Sequence, residues 1–361
     1  EHQMLSPVSI TKIAKKDGIS IEPVIPSLGL SGLEMAKAIR SVGLDTHHIN
    51  VSKPFLEPVK EVSPPDEPEE VVPPITGSDL LKAAVYAYTL ARIPLLLSLQ
   101  VVHNVPDGIA EAGELHAITI TGFRLDESPA IPDSSREFGG TVLSSSRITK
   151  LYAHDDQVGP FSMLEFLSDS SAKKAFTLNG SSALTWATLK SSFRLSDGNA
   201  LYAPAYLIAP VYHKMRIGMP PILGAVRVLD NLMEKVRDAK PELLPNRLEW
   251  EISLVRIQDL KYELLTSGRL NGNALNEILL KGLPRFIWQV RAKLINQPVF
   301  DVLFDATGFP DSNILSSVLF YSGELESYLR ENIGQHDFGQ ELTFNNYAWV
   351  TALIRFFSEP R

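Results

Sequence analysis

Alternation between apolar and polar positions predicts most of the β-strands in this chain. In the segment HAITITGFRL, His116 shares one side of an extended chain with Ile118 and Ile120, and Ala or Thr fills the positions between them. The continuous apolar run PLLLSLQVV predicts a strand buried on both faces, and RITKLYAHD predicts another. Further strands are predicted in YAPAYLIAPVYHKMRI, in NRLEWEISLVRI and in a hairpin of PRFIWQVRAKLI with VFDVLFDAT, whose turn is Asn296-Gln297-Pro298.

Helical spacing of apolar residues predicts an N-terminal helix in SGLEMAKAIRSVGL. Ser31 and Glu34 match the S-x-x-E capping box that begins a helix, and Gly43 provides the stop. A second helix is predicted in SDLLKAAVYAYTLARI, with Ser78 or Asp79 as its N-cap. Helices are also predicted from about residue 163, in GAVRVLDNLMEKVRDA, in ILSSVLFYSGELESYLRENI and in NNYAWVTALIRFF.

A proline-rich, acidic segment interrupts this pattern between residues 53 and 76. Its seven prolines can neither donate to a strand ladder nor continue a helix, so we expect an exposed insertion. A chain of 361 residues is also too long for one typical core. We therefore predict an α+β protein of two domains. Residues 1–162 form helices packed on an antiparallel sheet, with the insertion at 53–76, and residues 163–361 form a second α+β domain.

Composition narrows the classes of function. The net charge of −8 argues against a nucleic-acid-binding surface, and no apolar run has the length that a membrane span needs. The chain contains no cysteine, which removes disulfides, thiolate metal sites and a cysteine nucleophile from these residues. The absence of cysteine fits a reducing compartment, so we expect a cytoplasmic protein that binds neither nucleic acid nor membrane.

Two of the predicted strands bring titratable groups together. Antiparallel pairing of HAITITGFRL with RITKLYAHD places the start of the first strand beside the end of the second. The register that we predict puts Phe123 opposite Arg147. His116 then lies opposite His154, and Asp155 follows one step further. A carboxylate at that position can orient the imidazole and stabilise the imidazolium, as in a nucleophile–base–acid triad.

The same residues allow two other interpretations. A His beside an Asp at the end of a sheet is often a purely structural pair. The cluster also offers the imidazole and carboxylate ligands of a zinc or manganese site, although the sequence has no H-E-x-x-H motif. The candidate ligands are His103, His116, His154, Asp155 and Asp156. The principal interpretation requires neither a metal nor another cofactor.

Four segments resemble papain-like cysteine peptidases, in particular the bacteriocin-processing type that cleaves double-glycine leaders. They are SLGLSGLEMAKAIRSVGLDTHHINV, PLLLSLQVV, GELHAITITGFRL and ITKLYAHDDQVGPF, and they occur in the family's order over residues 5–165. In that family, one strand opens with the catalytic His and a later strand ends in D-P-x-x-G. His116 matches the His, Asp155 matches the Asp, and Asp156 stands in the place of the Pro.

The resemblance implies a papain-like N-terminal domain that cleaves a peptide or isopeptide bond of a protein or peptide substrate. His116 and Asp155 would be catalytic, with Asp156 and His154 as accessory candidates. The family's Cys lies upstream of the GLSGLEMAKAI segment, so we expect it to precede Glu1. If the nucleophile has been lost, the domain is an inactive papain-like scaffold for protein interaction.

The C-terminal half has no recognisable catalytic motif. Asp301 and Asp305 share one face of a predicted strand, and Arg285 and Arg291 lie on its predicted partner. This pattern favours a structural ion-pair network. We expect the domain to bind a partner protein or to regulate the first domain.

Overall fold

The structure is a computed structural model of a mixed α+β protein. It describes residues 9–10, 13, 30–51, 77–103, 111–132, 140–166, 189–195, 198–270, 272–309, 312–333 and 348–358. The chain divides into two compact units, each built from three stretches: residues 1–52, 93–122 and 151–215 form the first, and 53–92, 123–150 and 216–361 the second. The predicted boundary at residue 162 stays a prediction, and the predicted insertion at 53–76 lies outside the described residues.

A closed β-barrel dominates the first unit. Its strands are β2 (Leu95–His103), β3 (Glu111–Leu125), β5 (Ile148–Asp155), β6 (Gly159–Phe166), β7 (Leu189–Leu195) and β8 (Gly198–Tyr212). Strand β8 pairs with β2 on one side and with β7 on the other, which closes the ring of six strands. The strand β1 (Leu44–Asn50) adds to β8 in antiparallel register. An antiparallel sheet was predicted, but its closure depends on long-range pairing that local patterns do not reveal.

Alternation explains which side chains fill the barrel. Ile118 and Ile120 on β3 are buried, as are Leu151 and Ala153 on β5, because every second residue of a strand points to the same face. His116 continues the inward series of β3. It therefore occupies a position near the end of a packed apolar interior.

The first helix, α1 (Gly32–Ser41), begins and ends as the sequence predicts. The Ser31 side chain accepts a hydrogen bond from the Glu34 amide, and the Glu34 carboxylate accepts one from the Ser31 amide, so the capping box is complete. Gly43 follows the helix with a φ of +85°, a conformation that glycine adopts without steric cost.

The second unit contains a five-stranded sheet flanked by helices. Its strand order is β12-β11-β10-β9-β4. The strands are β4 (Val142–Leu143), β9 (Glu249–Arg256), β10 (Phe286–Leu294), β11 (Gln297–Asp305) and β12 (Leu315–Phe320). The helices are α2 (Gly77–Leu90), α3 (Met219–Ala239), α4 (Ile257–Ser267), α5 (Gly272–Leu280), α6 (Gly323–Ile333) and α7 (Ala348–Ser358). No helix in the described ranges is long and apolar enough to cross a membrane.

The two faces of this sheet differ in chemistry. One face carries Trp250 and Trp288, both fully buried. The other face carries Asp301, whose buried carboxylate accepts two hydrogen bonds from Arg291 across the β10–β11 pair. This contact confirms the predicted structural ion pair for these two residues. Asp305 instead accepts hydrogen bonds from Thr307 in the turn that follows β11.

Four local predictions are wrong. Residues 163–166 belong to strand β6, and residues 315–320 form strand β12 before the predicted helix begins at Gly323. The apolar residues of both segments fit either period, and pairing with β7 and β11 decides for strands. Helix α2 already begins at Gly77, so Ser78 and Asp79 lie in its first turn. The β10–β11 turn is Ile295-Asn296, both with positive φ, and Gln297 and Pro298 belong to β11.

Candidate functional site

The end of one barrel strand meets the beginning of its neighbour at a His–Asp pair. Strands β3 and β5 are adjacent in the barrel, and Asp155 is the last residue of β5. Nε2 of His116 lies 3.0 Å from Oδ1 of Asp155. The Asp155 side chain is fully buried, while that of His116 keeps 10% of its surface exposed. The pair therefore joins a buried carboxylate to an imidazole that solvent can still reach.

The predicted contact is present, but the predicted register is wrong. The carbonyl of Arg147 accepts a hydrogen bond from the amide of Asp126, three residues beyond the predicted partner Phe123. Arg147 itself lies in a short 3₁₀ helix, Ser144–Arg147, and not in β5. Strand patterns indicate which residues share a face, but they do not specify how far one strand is displaced along its neighbour.

Three donors hold the Asp155 carboxylate in one orientation. Oδ1 accepts from Nε2 of His116 and, at 2.9 Å, from the backbone amide of Gln157 in the following turn. Oδ2 accepts from the hydroxyl of Tyr202 at 3.3 Å. Gly159 continues that turn with a φ of +112°, which a side chain would strain. Because both oxygens have donors, a buried charge is stabilised here by hydrogen bonds.

This geometry defines the tautomer of His116. A carboxylate accepts hydrogen bonds, so the nitrogen that faces Asp155 must carry the proton. Nδ1 is then the basic nitrogen, and within the described part of the chain it has no hydrogen-bond partner. The imidazole can therefore take up a proton at Nδ1 while Asp155 stabilises the resulting positive charge at Nε2.

The two accessory candidates occupy different positions. Oδ1 of Asp156 lies 3.6 Å from Nε2 of His116, but its side chain is 83% exposed, so water screens this ion pair. His154 is exposed and contacts the ring of Phe161 edge to face, with centroids 5.3 Å apart. The structure thus brings Asp156 to the site, whereas no described contact joins His154 to His116.

Part of the cluster also brings possible metal ligands close together. The imidazole nitrogen of His116 and one oxygen each from Asp155 and Asp156 lie within 4.8 Å of one another. His154 does not belong to this group, and the side chain of His103 lies outside the described residues. One imidazole and two carboxylates suit Zn²⁺ or Mn²⁺. Of these atoms, Oδ1 of Asp155 already accepts two hydrogen bonds.

Tyr202 was absent from the sequence-based site. It lies on β8, 47 residues along the chain from Asp155, and only closure of the barrel brings the two together. The side chain is completely buried, and burial raises the pKa of its hydroxyl to about 12, with the charge on Asp155 adding to the rise and a hydrogen bond from Ser191 opposing it. No local motif marks a tyrosine for this position, so the sequence carried no usable signal.

Comparisons with protein-family models, with curated proteins and with solved structures found no match to this chain.

Proposed function

We propose that the first unit is a papain-like hydrolytic domain in which His116 and Asp155 are two members of a Cys-His-Asp triad. The reaction is cleavage of a peptide or isopeptide bond in a protein or peptide substrate. The observation that carries the proposal is the hydrogen bond from Nε2 of His116 to the carboxylate of Asp155. This carboxylate is buried and accepts three hydrogen bonds in all. The bond from Nε2 leaves Nδ1 as the basic nitrogen of a side chain that is 10% exposed, and a general base must be able to reach the proton that it transfers.

The proposed reaction begins with transfer of a thiol proton to Nδ1 of His116. The thiolate attacks the carbonyl carbon, and the carbon–nitrogen bond breaks as the imidazolium returns its proton to the leaving amine. Water then attacks the thioester, with Nδ1 again taking the proton, and the free thiol and a carboxylic acid are released. In this scheme the Asp155 carboxylate stabilises the imidazolium through its hydrogen bond with Nε2 of His116.

The nucleophile in this proposal comes from outside the 361 residues, since these contain no cysteine. The resemblance places it in a segment that precedes Glu1. In the papain-like family, the cysteine lies at the N-terminus of a helix, which stabilises a thiolate electrostatically. We therefore expect the natural polypeptide to contain a cysteine whose reactivity depends on His116.

Metal-dependent hydrolysis is the second candidate, because three ligand atoms converge at the same place. A bound divalent ion would activate a water molecule, and His116 would be a ligand and not a base. This function would use Asp155 and Asp156 alike. The thiol mechanism uses only Asp155, so the two candidates are separable.

The test is covalent labelling of the natural full-length polypeptide with a peptide bearing a thiol-reactive electrophile, followed by mass spectrometry. We expect a single labelled cysteine, with labelling slowed about 100-fold or more in His116→Gln, because the imidazole no longer removes the thiol proton. His154→Gln is the matched control and should label at the wild-type rate. Equal labelling rates in wild type and His116→Gln, or the absence of a labelled cysteine, would reject the hydrolytic function and favour the inactive scaffold. One bound metal ion per chain would favour the metal site instead.

A further inference from the structure

The second oxygen of the Asp155 carboxylate faces the interior of the barrel, where it meets Tyr202. The hydroxyl of Tyr202 donates to Oδ2 at 3.3 Å, and the Ser191 side chain hydrogen-bonds the same hydroxyl. All three side chains are buried. Four side chains from four strands thus form a continuous series: Ser191 on β7, Tyr202 on β8, Asp155 on β5 and His116 on β3.

We propose that Tyr202 is a positioning residue that fixes the Asp155 carboxylate, and through it the tautomer and orientation of His116. This inference rests on the proposed function for its catalytic meaning. The arrangement on which it depends is independent of any reaction.

Tyr202 limits rotation of the Asp155 carboxylate. His116 and Gln157 both contact Oδ1, so these two donors alone leave the carboxylate free to turn about its bond to the chain. The hydroxyl of Tyr202 anchors the opposite oxygen. A buried oxygen without a donor is costly, so without the hydroxyl the carboxylate would turn away or admit water, and Nε2 of His116 would lose its fixed acceptor.

Tyr202 is itself held in place by the barrel. Its strand β8 is the one that closes the ring, and Tyr202 lies opposite Val101 of β2 on one side and Leu189 of β7 on the other. Pairing on both sides fixes the backbone of Tyr202. Its ring also lies beside the imidazole of His116, with centroids 6.1 Å apart. The hydroxyl is therefore delivered to Asp155 from a rigid part of the fold.

The chain offers two comparison variants for a mutation of Tyr202. Tyr202→Phe removes the hydroxyl and keeps the ring. Tyr206→Phe removes a hydroxyl from the same strand, where no hydrogen bond to that hydroxyl is found among the described residues. Ser191→Ala removes the outer link of the series and leaves both Tyr202 and Asp155 in place.

The experiment is nitrogen-15 NMR of the histidine side chains in the full chain, with the His116 signals assigned through His116→Gln. We expect wild-type His116 to carry its proton on Nε2 and to exchange it slowly with water. In Tyr202→Phe we expect exchange about tenfold faster and a second population protonated on Nδ1, since the acceptor is no longer fixed. Ser191→Ala should move both readouts in the same direction by less, and Tyr206→Phe should leave them unchanged.

Wild-type tautomer and exchange in a folded Tyr202→Phe would overturn the proposal. If Tyr202→Phe does not fold, as judged by circular dichroism, Ser191→Ala decides: wild-type signals there would equally overturn it. The readout needs no substrate or nucleophile. A changed NMR signal together with no His116-dependent labelling would thus retain the positioning role and reject the hydrolytic function, so the two failures are distinguishable.

Discussion

Asp155 and Asp156 are adjacent in the chain, yet the side chain of Asp155 is completely buried and that of Asp156 is 83% exposed. Both carboxylates lie near Nε2 of His116, at 3.0 Å and 3.6 Å. Burial distinguishes the two carboxylates, because two charges at a given distance interact much more strongly away from water. A triad should depend on the buried carboxylate alone, whereas a metal site should use both.

Asp155→Asn should reduce activity about 100-fold or more, because an amide can present its NH₂ to Nε2 and then favours the wrong tautomer of His116. Asp156→Asn, which removes only an exposed charge, should change activity less than about threefold. The rate of labelling by the thiol-reactive peptide measures both. Equal losses in the two variants would contradict the triad and point to a metal site.

Asp230 on α3 should make the stability of the second unit depend on pH. Burial raises the pKa of Asp230 to about 6, while Nε1 of Trp250 donates to its Oδ1 at 2.6 Å. The pKa of Asp230 is higher in the folded state than in the unfolded state. The contribution of its neutral carboxyl to the free energy of unfolding is therefore fully present below about pH 4 and is lost as the pH rises through about 6. Relative to Asp230→Asn, the wild-type free energy of unfolding should fall by about 3 kcal/mol over that range.

Urea unfolding at pH 4, 5, 6 and 7 measures this difference. Asp238→Asn is the control, since Asp238 lies on the same helix with its side chain 77% exposed, and we expect it to stay within about 0.5 kcal/mol of wild type. A constant difference between wild type and Asp230→Asn across the range would show that Asp230 titrates normally.

The buried pair of the second unit should be sensitive to loss of one partner. Asp301→Ala removes two of the three hydrogen bonds that the Arg291 guanidinium donates to carboxylates and leaves only the one to Glu263, and we expect a loss of about 3 kcal/mol in the free energy of unfolding. Arg269→Ala breaks a half-exposed pair with Glu263 and should cost at most about 1 kcal/mol. Denaturant unfolding compares the two, and similar costs would mean that Asp301 and Arg291 are effectively solvated.

Ile295 should be replaceable with a gain in stability. It has a φ of +50°, which is unfavourable for a β-branched residue, and its side chain is mostly exposed. Ile295→Asn relieves that strain and should raise the free energy of unfolding by about 1 kcal/mol, because Asn tolerates the left-handed conformation. Ile295→Val keeps the branched side chain and should give no gain. A loss of stability in Ile295→Asn would show that the side chain makes a contact worth more than the strain.

Features that depend on a few neighbouring residues were predictable from the sequence. The capping box of Ser31 and Glu34 is an example, because its donors and acceptors lie within one turn of helix. The alternation in β3 likewise identified the face on which His116 lies. The contact with Asp155 followed from placing two strand ends together, and it was correct although the register was three residues away from the prediction.

Features that depend on distant parts of the chain were not predictable. Tyr202 reaches Asp155 only because β8 pairs with both β2 and β7, and no periodicity in a single strand encodes that closure. The same limit explains strand β12, where apolar residues at Leu315, Val318 and Leu319 fit a helix as well as a strand until pairing with β11 is known.

In the proposed mechanism, Nδ1 of His116 activates a thiol while Asp155 holds Nε2. The most direct measurement is the rate at which the thiol-reactive peptide labels the natural full-length polypeptide, compared between wild type and His116→Gln at equal folded concentration. We expect one labelled cysteine and a rate about 100-fold or more lower in the variant. Equal rates in the two proteins would rule out His116 as the base.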